Sequence, residues 1–216
     1  MQHKRLVFVL MVLMTLLATT VVAQESMETT AKVSTVQVTT HFSQGEVVDI
    51  EGATATLIST EEGIAVRFVS QNLEVNHAYT VWVAIINNPE ACTNSPCGPD
   101  VLGNPDVVQS EMLQGDNLLY TDEAIMEFTT FIPVGDAPEG EGWFGNGLTN
   151  PMGAEIHLTV QDHGELIPEM AGTMLNTVRG GCTDESVPPP YPEVGQNDGD
   201  PGPNTCRGIQ LAIFQQ

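Results

Sequence analysis

Residues 77–86, His-Ala-Tyr-Thr-Val-Trp-Val-Ala-Ile-Ile, are apolar on both parities and rich in β-formers, and this restricts the available folds more than any other stretch of the chain. A strand of that composition has no face to offer water, so it belongs at the centre of a sheet, covered on both sides. Most of the remaining chain alternates with period two, and sustained helical periodicity is hard to find. Val36, Val38 and Phe42 share one parity against Thr35, Gln37 and Thr39, the pattern of a half-buried strand.

Strands are expected over residues 47–50, 53–58 and 64–69, separated by turns at Glu51-Gly52 and Glu61-Glu62-Gly63. Further strands are expected at 124–132, 154–161 and 209–214. A long Pro/Gly loop occupies 87–103, and Asn104-Pro105 reads as the cap of a short helix running towards Leu113. Many short strands with turn signals between them give an all-β fold, an antiparallel β-sandwich or partly closed barrel with long disulfide-stapled loops.

The N-terminus has Lys4 and Arg5, an apolar run over 6–17, and Val21-Val22-Ala23 before Gln24, which is the layout of a secretory leader. An uncleaved anchor is the competing reading, but Thr15, Thr19 and Thr20 dilute the run and no basic cluster follows it. The expected organisation is a signal peptide at 1–23, a flexible tether at 24–35 and a single β-sandwich domain at 36–216. The mature chain would keep four cations, Lys32, Arg67, Arg179 and Arg207, against 28 acidic residues, a net charge of −24. Such a surface repels phosphate backbones and anionic headgroups, so neither nucleic acid nor a membrane is expected as a partner after cleavage. The expected location is exported: secreted, cell-surface or periplasmic.

Cys92, Cys97, Cys182 and Cys206 form an even set, and in an exported chain thiols are oxidised. Of three possible connectivities, Cys92–Cys97 with Cys182–Cys206 is preferred because each pair brackets its own Pro/Gly/Asn-rich loop. In the chain-entropy picture these closures contribute roughly 2 and 3.5 kcal/mol. A zinc cluster fits poorly, since the Cys-x4-Cys spacing departs from the usual Cys-x2-Cys pairs.

The chemically suggestive segment is residues 154–164, where Ile156, Leu158 and Val160 point one way and Glu155, His157, Thr159, Gln161 and His163 the other. Two imidazoles and a carboxylate on one face, joined by His77 from the central strand, would suit zinc or copper. Asp198 and Asp200 in an acidic Gly/Pro turn resemble calcium loops, without the spacing of an EF-hand. Trp143 and Phe144 on the Gly-rich loop 135–147 could form a ligand platform or fold back to cover the end of the sheet. No nucleophile elbow, zinc-protease helix, phosphate loop or dinucleotide fingerprint occurs, so no catalytic residue is named and a non-enzyme is expected.

With these residues in view, the chain resembles a group of exported bacterial proteins that carries no assigned activity. The resemblance rests on His77-Ala78-Tyr79-Thr80-Val81-Trp82, Asn87-Asn88-Pro89-Glu90 with Cys92, Ala154-Glu155-Ile156-His157-Leu158, His163-Gly164, Gly180-Gly181-Cys182 and Cys206. More loosely, residues 154–158 are similar to the Ala-His-Ile-His core of chordin-type (CHRD) domains, with Glu155 in the place of the first histidine. The resemblance implies a secreted all-β module. The leading expectation is therefore an exported, disulfide-stabilised module that binds an unknown extracellular ligand or associates with a surface. The alternative is a metal-binding protein or metal-dependent enzyme using His77, Glu155, His157 and His163.

Overall fold

The computed structural model describes residues 30–98, 108–119, 126–139, 141–187 and 199–216. The expected leader, Asp198 and the proposed helix start at Asn104 lie outside them. Eight antiparallel strands form one sheet that curls into a near-closed barrel: β1 (Lys32–Thr40), β2 (Asp49–Thr60), β3 (Gly63–Val69), β4 (His77–Ile86), β5 (Ser110–Leu119), β6 (Glu127–Pro133), β7 (Glu155–Glu165) and β8 (Arg207–Phe214). Their order is β5-β4-β7-β8-β1-β2-β3-β6. The two edges meet at a seam joined by a side chain instead of a ladder, where the Thr129 N–H donates to Asp116 Oδ2 at 3.0 Å.

Three sequence expectations are corrected. Strand β1 starts at Lys32, so residues 32–35 of the expected tether are paired with β2, and the Thr35 and Thr56 hydroxyls meet at 3.0 Å. Glu51-Gly52 is not a turn between two strands but a bulge within β2, with Gly52 at φ +78. Gln37 explains why the strand survives it: its Nε2 donates to the Ile50 and Ala53 carbonyls at 2.6 and 2.7 Å, pairing the groups that the bulge takes out of the ladder. From Ser110 onward the expected helix is instead strand β5, paired with β4 along its length. The expected Glu61-Glu62 hairpin turn is present, joining Thr60 to its partner Gly63.

Strand β4 sits between β5 and β7 and is buried on both faces. Tyr79, Val81, Val83 and Ile85 enter the barrel core with Ile156, Leu158 and Val160 of β7. Trp82, Ala84 and Ile86 point outward into a second apolar cluster, closed over by Met112, Trp143 and Val178. Trp143 packs edge-on to Trp82 with ring centroids 5.5 Å apart and is 7% exposed. It is therefore a covering residue, and the half-buried Phe144 packs against the same cluster.

The loop that brings Trp143 to this place winds around one carboxylate. Glu111 is fully buried; its Oε1 accepts the N–H groups of Met112, Trp143 and Phe144, and its Oε2 those of Gly145, Asn146 and Gly147, at 2.6–3.2 Å. Asn87 performs the same service at the end of β4, accepting from Thr149 and Asn150 and donating to the Gly147 carbonyl. Gly147 is required here, because its φ is +56 and a Cβ would lie 2.0 Å from the Gly135 carbonyl oxygen.

Glu111→Gln should cost about 3 kcal/mol of stability, because an amide turns a donor towards N–H groups that then lose their acceptor. Denaturant unfolding would measure the loss, with a red shift of tryptophan emission as the cover loosens. Stability unchanged to within about 0.5 kcal/mol would show that the loop holds without this carboxylate.

Candidate functional site

The polar face of β7 is present as its alternation requires, but its members go to three different places. At its start, Glu155 Oε1 lies 2.6 Å from His157 Nε2 and accepts the Cys97 N–H at 2.7 Å, while Gln215 donates to Oε2 at 3.3 Å. Burial pushes the Glu155 carboxyl up, yet the hydrogen bonds from His157, Cys97 and Gln215, with the attraction of His157, outweigh it and hold the group below the ordinary range. Glu155 thus fastens the first disulfide loop, Cys92–Cys97, to the sheet.

His163 lies six residues beyond His157, about 20 Å along the strand. His77 is on the core parity of β4, opposite Glu165, with its Nδ1 2.9 Å from Asp162 Oδ1 and its Nε2 3.4 Å from Glu74 Oε2. Arg207 joins this charged cluster, 3.2 Å from Glu74 and 3.7 Å from Asp162. The structure therefore brings Glu155 and His157 together and leaves His77 and His163 in separate surroundings, on opposite faces of the sheet. Asp200 is exposed, held through its backbone N–H to Thr173 Oγ1.

His163 has the most constrained environment. It is fully buried beneath the second disulfide, Cys182–Cys206, with Nδ1 3.0 Å from the Gly180 carbonyl oxygen and 3.6 Å from Cys182 Sγ. Nε2 is 2.8 Å from Thr80 Oγ1, which itself accepts the Trp82 indole N–H at 2.9 Å. A carbonyl only accepts, so Nδ1 carries the proton, and Nε2 of the neutral ring takes the Thr80 hydroxyl proton. Burial, partly opposed by Gly180 and Asp162, lowers the His163 pKa to about 4.

One donor group emerges that the sequence did not single out. His163 Nδ1 or Nε2, Cys182 Sγ and Cys206 Sγ each offer a ligand atom, and these lie within 4.8 Å of one another. All three residues are buried. The Gly180-Gly181-Cys182 turn and the parallel bridge from Cys182 to Asn204 bring the sulfurs over β7. The signal available in sequence was His163 and Cys182, nineteen positions apart, and only the fold makes them neighbours. With the bridge closed the sulfurs are not thiolates, so a metal requires the dithiol form. Among the described residues no helix is long and apolar enough to cross a membrane. No protein-family model, curated protein or solved structure matches the chain.

The buried histidine sets an acid limit on the oxidised protein. Its folded pKa lies below the unfolded value of 6.5, so its contribution is complete above pH 6.5 and is lost as pH falls towards 4. The loss amounts to about 2–3 kcal/mol by pH 4.5, and His41, whose pKa burial also lowers to about 4, changes stability in the same direction. Urea unfolding at pH 7 and pH 4.5 should show a smaller acid loss in His163→Gln than in the parent. Equal losses in the two proteins would mean that the imidazole does not stay neutral.

Proposed function

We propose that this chain is an exported metal-binding module whose ligands are His163, Cys182 and Cys206, engaged when the bridge between the cysteines is open. The convergence of the three donor atoms within 4.8 Å carries the reading. Opening the bridge takes two electrons and two protons from a dithiol, which becomes a disulfide, and leaves two thiols beside the imidazole. Metal binding would displace the thiol protons and, with Nδ1 as the ligand atom, leave the His163 proton on Nε2, which would donate a hydrogen bond to Thr80 Oγ1. Two thiolates and one imidazole form a soft set that suits copper(I) with three ligands, whereas zinc would need a fourth donor such as water. Cys182 and Cys206 form a small buried cluster of their own with Val187, and that burial would restrict water. The reading requires no catalytic step.

The test is anaerobic titration of reduced Cys92→Ser/Cys97→Ser protein with copper(I), which isolates the second pair of cysteines. One equivalent should bind with a thiolate-to-copper absorption band, and His163→Ala should weaken binding at least about tenfold. Oxidised protein should bind none. Reduced protein that takes up no copper, or takes it up equally after Cys182→Ser/Cys206→Ser, would remove the assignment.

A second reading, a ligand-binding module with the bridge kept closed, is favoured by a cleft of about 480 Å³ that Cys206 borders on the outer wall. There the disulfide acts as a staple for the loops around the cleft.

A further inference from the structure

The cleft lies on the outer face of β7, between the turn at residues 42–44 and the loop at 185–187. Trp82, Met112 and Val187 line it, each at least nine-tenths buried, and Phe42 stands at its edge with half its surface exposed. Thr159 and Gln161 enter it from β7. The Gln161 Nε2 donates to the Val178 carbonyl at 2.5 Å, which fixes the amide. Gln161 lines the cleft, and no buried side-chain oxygen among the described residues lacks a partner, so its Oε1 serves as an acceptor open to the water of the cleft.

This geometry points to a bound neutral saccharide: we infer that the cleft seats a pyranose ring against Phe42 and the apolar floor, with a sugar hydroxyl donating to Gln161 Oε1. The inference rests on the ligand-binding reading and is independent of metal. A ligand that was hydrocarbon throughout would strip water from Oε1 and leave it unpaired, so the occupant must bring a donor. The surrounding hydroxyl and amide groups of Ser43, Gln44 and Thr159 match several hydroxyls better than one. The rim has one cation, Arg207, and one carboxylate, Glu185, and the acidic surface as a whole repels anions, which favours an uncharged ligand. An extended peptide is less well served, since the cleft is on a sheet face whose strands are already paired on both sides.

The test is calorimetric titration of the oxidised full-length mature chain with a panel of neutral mono- and oligosaccharides, beside sulfated saccharides and a peptide pool. At least one neutral saccharide should bind. Phe42→Ala, an exposed position, and Thr159→Val should each weaken binding about tenfold with unchanged melting temperature. If a saccharide binds equally to both variants, the cleft is the wrong site although the ligand-binding reading survives. Binding of peptides or sulfated saccharides alone overturns the ligand class and leaves that reading standing, and binding of nothing in the panel overturns both.

Discussion

A strand without a polar face forces the construction of this molecule. The barrel interior satisfies only half of β4, through Tyr79, Val81, Val83 and Ile85; the outward residues Trp82, Ala84 and Ile86 need a second layer. Among the described residues the one short helix near β4, Ala171–Met174, contributes little to it, and no second sheet supplies it. Loops do, and loop backbone carries N–H and C=O groups that must be paired once water is excluded. Glu111, Asn87, Glu155 and Gln161 are buried for this purpose, each exchanging side-chain hydrogen bonds with covering segments. The two disulfides act at the same level, since each closes a loop against the covered wall.

Thr80 shows how tightly the layers are linked. It is a polar residue in the middle of β4, fully buried, and its one hydroxyl accepts from Trp82 and serves His163. The outer apolar cluster, the imidazole and the turn carrying Cys182 are thereby joined in one chain of hydrogen bonds ending on the Gly180 carbonyl. Any change at the sulfurs is consequently felt by a ring whose tautomer is set by the Gly180 carbonyl, two residues from Cys182.

The all-β class, most strands and the disulfide arrangement were legible because they depend on local signals: alternation, turn residues and the loops that the cysteines bracket. The bulge at Gly52 was misread as a turn because the residue that permits it, Gln37, lies on another strand. Strand β5 was missed because Glu111 and Met112 spoil its alternation: one is buried to hold a loop and the other to cover Trp82. Glu111 is hidden among 28 carboxylates, where abundance gives no hint that this one is fully buried. His77, His157 and His163 were grouped by residue type, but ladder register decides their neighbours. Pairing Ala84 with His157 and His77 with Glu165 places them far apart.

The two walls of the barrel consequently differ in what they can do. Along β1, β2, β3 and β6 the outward row Thr35, Thr56, Arg67 and Thr129 meets solvent directly, and Arg67 pairs with Glu127 at the surface. An uncovered convex wall offers no concavity in which donors can converge away from water. Along β5, β4, β7 and β8 the covering loops create both a buried donor group and a cleft at their margin, because loops follow a barrel less closely than a helix or sheet would. The same demand that β4 makes for a cover thus produces the places where this chain can hold something else.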